Sequence, residues 1–191
     1  MNRHILSVAL FGFGLGLATA YALDGTRSPD NIAAANDRVA PPGGLYSGNL
    51  REWFRVRQLG DVEAARKVLE DAARDGDVWA TWELGRMYLD GQGIARDAKQ
   101  AVRWLSLAAG KGQYQAQAVF GAVLFKGQYL ARDAAGGLMY LILAREAASV
   151  EETWIAELYS AASKQATAEE VTRALDHAKH WIEKSRSGRQ K

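Results

Sequence analysis

The stretch Ala80-Thr81-Trp82-Glu83-Leu84-Gly85-Arg86-Met87-Tyr88-Leu89-Asp90-Gly91-Gln92-Gly93-Ile94-Ala95-Arg96-Asp97 decides the fold, because the chain repeats it. Shifted by 36 positions, residues 77–112 fall on residues 113–148 with eleven identities, among them Gly85/Gly121, Gly91/Gly127, Arg96/Arg132, Asp97/Asp133, Leu105/Leu141 and Ala108/Ala144. Large apolar positions also match in kind, as in Leu84/Phe120, Leu89/Phe125 and Trp104/Tyr140. Backwards, residues 61–76 align with 97–112 through Asp61/Asp97, Ala65/Ala101, Leu69/Leu105 and Gly76/Gly112. A fixed period of this length is the signature of a solenoid built from stacked supersecondary units.

Within one unit the apolar spacing is helical. Ala80, Leu84, Met87 and Tyr88 mark a first helix over about 77–90. Gly91-Gln92-Gly93 stops it. Asp97 opens a second helix as N-cap, with Gln100 three residues on to complete a capping box. Ala101, Trp104, Leu105 and Ala108 form its inward stripe, and Gly110 and Gly112 end it. The small residues Ala80, Gly85 and Ala108 let two antiparallel helices approach closely. One such pair leaves an apolar face uncovered, so pairs must stack.

The outer units are less regular. Residues 46–59 read as the first helix of an opening unit, turned by Leu59-Gly60-Asp61. After Ala148 the period fades into a helix over 152–165 and a last one opened by the capping box Thr167-Ala168-Glu169-Glu170, with Val171, Ala174, Leu175, Ala178 and Ile182 expected inward. The predicted architecture is all-α, an α/α superhelix: a right-handed solenoid of about eight helices over 45–187. Its units are about 45–76, 77–112 and 113–148, with a divergent terminal helix pair over 151–187.

Arg3 and His4 precede the apolar run Ile5 to Leu17, followed by Ala18-Thr19-Ala20 and Ala20-Tyr21-Ala22. This pattern predicts a secretory signal peptide over 1–20, cleaved after Ala20 or Ala22. Residues 23–44 carry Pro29, Pro41, Pro42 and paired glycines, and read as a flexible leader. The expected location is the periplasm.

Composition narrows the function. A net charge of +2 gives no basic face for nucleic acid. The chain has no cysteine, which excludes disulfides, thiolate metal sites and a cysteine nucleophile. Neither G-x-S-x-G nor H-E-x-x-H occurs. The expectation is no enzyme, no cofactor and no metal. His177 and His180, three apart on the last helix, are candidates for a pH-sensing role because imidazole titrates near neutrality; a zinc site there would need a third ligand that the sequence does not supply.

The string 80–97, continuing into Ala101, Trp104, Ala108, Ala109 and Gly112, resembles the Sel-one-like repeat (SLR), a relative of the tetratricopeptide repeat. The likeness is strong in 77–112 and good in 113–148, where Tyr129 replaces the second loop glycine and Gly137 the usual alanine of the second helix. Gln115 to Gly121, Leu124-Phe125 and Gly137 to Leu141 are similar to the later repeats of the exopolysaccharide-regulating members of that family. The resemblance implies periplasmic binding of a membrane sensor kinase that controls exopolysaccharide or envelope genes. The other reading is a scaffold for envelope or cell-wall assembly enzymes.

In stacked helix pairs the first helices line the concave face. With Ala80, Leu84 and Tyr88 inward, Trp79, Trp82, Glu83 and Arg86 lie elsewhere on that helix. Their neighbours in the next unit include Gln115 and Val119, and the opening helix adds Arg51, Trp53 and Arg55. Trp and Arg anchor interfaces more often than other residues, so these nine are the partner-binding candidates. Trp79 and Trp82 are open to two readings: exposed for a partner, or packed between repeats.

Overall fold

The computed structural model describes residues 48–91 and 93–188. They belong to the second of two compact units into which the chain divides, Leu45–Lys191. The expected signal peptide, its cleavage site, the leader 23–44 and Gln92 lie outside the described residues.

The described residues form eight helices and no strand: α1 Gly48–Gln58, α2 Val62–Arg74, α3 Val78–Asp90, α4 Ala98–Gly110, α5 Tyr114–Lys126, α6 Ala134–Ala147, α7 Thr153–Gln165 and α8 Ala168–Gly188. α1–α2, α3–α4 and α5–α6 are hairpins, and α2 against α3 and α4 against α5 join each pair to the next. Each second helix starts on an aspartate N-cap. The carboxylates of Asp61, Asp97 and Asp133 accept from Ala64, Gln100 and Gly136 N–H at 2.9, 3.1 and 2.9 Å, which satisfies donors that the helix start leaves orphaned.

The box expected of Asp97 and Gln100 does not close. The Asp97 N–H donates to the Tyr88 carbonyl at 3.0 Å instead, and 36 residues on the Asp133 N–H donates to the Leu124 carbonyl at 3.0 Å. The backbone of the first helix has taken the acceptor role that the glutamine side chain was expected to fill. The box at Thr167 does close: Thr167 N–H donates to Glu170 Oε2 at 2.9 Å, and Glu170 N–H to Thr167 Oγ1 at 3.2 Å.

Small residues set the helix spacing. A Cβ placed on Gly85 would stand 2.8 Å from the Leu105 side chain. One on Gly137 would stand 2.5 Å from Phe125 N and 2.6 Å from Gly121 O. α5 and α6 therefore touch through backbone. α6 is apolar nearly all round, with Ala134 through Met139 all buried, and such a helix must be covered on every side.

That requirement shapes the C-terminal end. α7 packs on α5 and α6, and α8 packs on α6, while α7 and α8 make little contact with each other. The last two helices thus pack chiefly on α6 and α5 rather than along each other, while Ala162 of α7 and Ala174 and Ala178 of α8 join one core cluster with α6. Ile155 enters the core beside Ala118 and Ala144. On α8 the inward residues are Ala174 and Ala178, with Val171 and Trp181 partly buried beside them. Leu175 and Ile182, expected inward, are 54% and 36% exposed. The stripe follows Val171, Ala174, Ala178 and Trp181 because α8 must lie close on α6, and alanine permits the approach that leucine would block. Trp181 reaches back to within 3.3 Å of the Cβ position of Gly112, in the α4–α5 turn.

No helix among the described residues is long and apolar enough to cross a membrane.

Candidate functional site

α3 begins on Asp77, whose carboxylate accepts from Ala80 N–H at 2.9 Å. It ends on Gly91, which takes a left-handed φ of 71° and donates to Met87 O. Between these caps Ala80 to Gly85 are all buried, so the helix has core contacts beyond its Ala80/Leu84 edge. Trp82, open to both readings in the sequence, is 7% exposed. It packs within the chain because α3 stands between neighbours on both sides.

Glu83 is also buried, and it is paired. Its Oε2 accepts from Arg86 Nη2 at 3.1 Å and Nε at 3.4 Å, and the two side chains are 9% and 14% exposed. One turn further on, Asp90 is exposed at the residue level, and partial desolvation of its carboxyl by the neighbouring side chains pushes it above its ordinary range, against the opposing pull of Arg86 and Arg96 and with Glu83 adding to the rise. Arg96 gives its Nε–H to Leu89 O at 2.8 Å. Glu83, Arg86 and Asp90 follow one face at helical spacing. The matching residues of α5 are Val119, Ala122 and Lys126. Val119 and Ala122 are buried, and burial pushes the Lys126 ammonium down.

The opening helix is in a different register. The α1–α2 connection spans 59–61 and the α3–α4 connection spans 91–97. Being four residues shorter, it places Trp53 where α3 has Gly85. Trp53 is accordingly core, 3% exposed and packed with Leu69 and Ala65. Its indole meets Trp79 edge-on at 5.1 Å and Phe54 at 4.7 Å, with the Arg57 guanidinium 4.9 Å above the ring. Its Nε1 is buried with no acceptor, a consequence of putting a large indole on a glycine site. Trp79 is partly buried and stacks on Phe54 at 6.3 Å.

The other candidates are scattered. Arg51 is exposed. Arg55 is exposed and gives a two-pronged pair to Glu52, at 2.9 and 2.5 Å. Gln115 accepts from Gln113 Nε2 at 2.6 Å. His177 and His180 are exposed on α8, where His180 Nδ1 lies 2.9 Å from Asp176 O. Among the described residues no group of three His, Cys, Asp or Glu is placed to hold a metal ion.

The structure thus brings two sets together: Trp53 with Trp79, and Glu83 with Arg86. The reading of the sequence missed Phe54 and Asp90. Phe54 was hidden by the four-residue register change. Asp90 was in plain sight, seven residues after Glu83.

No protein-family model matches the chain. It is similar to the exopolysaccharide production negative regulator of Rhizobium leguminosarum bv. viciae, 28% identical over 99 residues. That stretch is 52% of this chain, and the chain spans about a third (36%) of the length of this curated relative. Among solved structures it is similar to a protective antigen of uropathogenic Escherichia coli displaying an SLR fold, with TM-score 0.63 and 21% identity over 87% of this chain and 37% of that one. A Sel1 repeat protein from Oxalobacter formigenes matches with TM-score 0.40 and 27% identity over 56% of this chain and 95% of that one. The chain therefore has the SLR fold, an all-α solenoid of stacked antiparallel helix pairs.

Proposed function

We propose that this protein is a periplasmic binding module that regulates an envelope sensor kinase controlling exopolysaccharide or envelope genes. The observation that carries the reading is the 99-residue likeness to a negative regulator of exopolysaccharide production. A solenoid supports it physically, because stacked pairs build an extended surface suited to protein partners. The face in question is the row of first helices, α1, α3 and α5, centred on Trp79, Phe54, Glu83 and Arg86. The exposed His177 and His180 on α8 offer a site for pH sensing.

Deleting the gene tests the regulatory reading. Exopolysaccharide output and the transcription of kinase-dependent genes should both rise. Unchanged polysaccharide together with unchanged transcription would sink it.

A further inference from the structure

Glu83 and Arg86 are not demanded by the fold. At the matching positions α5 carries Val119 and Ala122, which are 6% and 5% exposed. One unit further on, on a helix that α7 also packs against, the equivalent positions are apolar. A nearly buried ion pair costs desolvation that its attraction only partly offsets, and apolar replacements of such pairs are often neutral or stabilising. α3 therefore keeps its charges at a cost that its neighbour avoids.

The geometry of the pair is one-sided. Two Arg86 donors, on Nε and Nη2, go to the same oxygen, Oε2 of Glu83. Among the described residues no hydrogen bond or ion pair reaches Oε1. Nor is Oε1 one of the sealed polar atoms without a partner, which among the described residues are Trp53 Nε1 and Ser163 Oγ. It is an acceptor oxygen on a side chain more than nine-tenths buried, held in place by Arg86 and open to an incoming donor.

We propose that Glu83 is the receptor for a lysine or arginine side chain on an extended segment of the partner protein, with Oε1 accepting and Arg86 fixing the carboxylate. This rests on the reading of the first-helix row as a binding face and adds the chemistry of what it binds. A cationic donor suits the site better than a neutral one, because hydrogen bonds between two ionised groups are the strong ones. In a partly desolvated place the charge of Glu83 is also poorly screened.

The test is selection of a phage-displayed random dodecapeptide library on the full-length mature protein, on Glu83→Gln and on the double variant Glu83→Val/Arg86→Ala. Circular dichroism melts run alongside. The expected result is a lysine or arginine enriched at one position of the peptides selected on the wild type, with at least tenfold lower recovery of those peptides on both variants. If Glu83→Gln alone fails to fold, the double variant carries the test, since it installs the residues that α5 already tolerates. A consensus without a basic residue, or one recovered equally on wild type and variants, overturns the inference and leaves the protein-binding reading standing. Selection of no peptide overturns the inference and counts against that reading as well.

Discussion

Glu83 and Arg86 pair at 3.1 Å on α3, in positions that α5 fills with Val119 and Ala122. Glu83→Val alone leaves Arg86 with its main partner gone and should cost about 2 kcal/mol, less than a fully buried pair would lose because Arg86 keeps some contact with water. Glu83→Val with Arg86→Ala should recover most of that loss. Urea denaturation at constant m-value checks both variants.

Gly137 has backbone on two sides, so Gly137→Ala should be among the costliest small changes in the chain. The added methyl would meet Phe125 N and Gly121 O, neither of which moves without moving a helix. A loss of about 2–3 kcal/mol is expected. Gly85→Ala meets the Leu105 side chain at 2.8 Å instead, with backbone no nearer than 3.2 Å; Leu105 is fully buried but has to shift only a side chain, so the cost should be smaller, about 1–2 kcal/mol. Equal losses for the two would contradict the backbone contact between α5 and α6.

Tyr129 is the one non-glycine residue with positive φ among the described residues, at 67°. It stands where α3–α4 has Gly93, whose Cβ would strike Val62 at 2.6 Å. The residue 36 after Val62 is Ala98; the smaller side chain there goes with the larger residue in the loop. Tyr129 is half-exposed, so its ring contributes little burial. Tyr129→Asn should stabilise by roughly 0.5–1 kcal/mol, since asparagine tolerates the left-handed region better. A lower thermal midpoint would mean that the tyrosine ring makes contacts worth more than the strain.

Glu170 ties α8 to the α5–α6 loop. Its carboxyl is held below the usual range, chiefly by the Thr167 N–H and then by Arg132, which sits 2.9 Å away. A depressed folded-state value means that its contribution is present above the ordinary carboxylate range and is lost as pH falls through the folded value. Glu170→Gln should therefore melt lower than wild type at pH 7, and the gap should narrow as pH falls below the ordinary carboxylate range. A gap independent of pH would assign the loss to packing.

The period of 36 and the positions of the hairpins were legible because each unit repeats its own stop and start residues, Gly91 with Asp97 and Gly127 with Asp133. The repeat could not announce where it changes register. Three residues in the α1–α2 turn, against seven in α3–α4, moved Trp53 from the candidate face to a glycine site in the core. Helical spacing also misplaced α8, where Leu175 and Ile182 looked like core. A single helix does not reveal how closely its neighbour will approach, and the closest approach selects alanine. The burial of Trp82 and Glu83 has a related cause: α3 is covered from more than one side, which a one-stripe reading of its apolar residues does not capture.

The central claim is that the first-helix row binds a protein partner through the charged residues of α3. It is tested most directly by crosslinking and mass spectrometry of the tagged full-length protein in its own cells, beside the Glu83→Val/Arg86→Ala variant at matched expression. The account predicts that the wild type crosslinks to the periplasmic domain of one sensor kinase, with α3 at the contact, and that the variant loses that crosslink while keeping its helical melt. The same crosslinks from both proteins, or contacts confined to the second helices α2, α4 and α6, would contradict it.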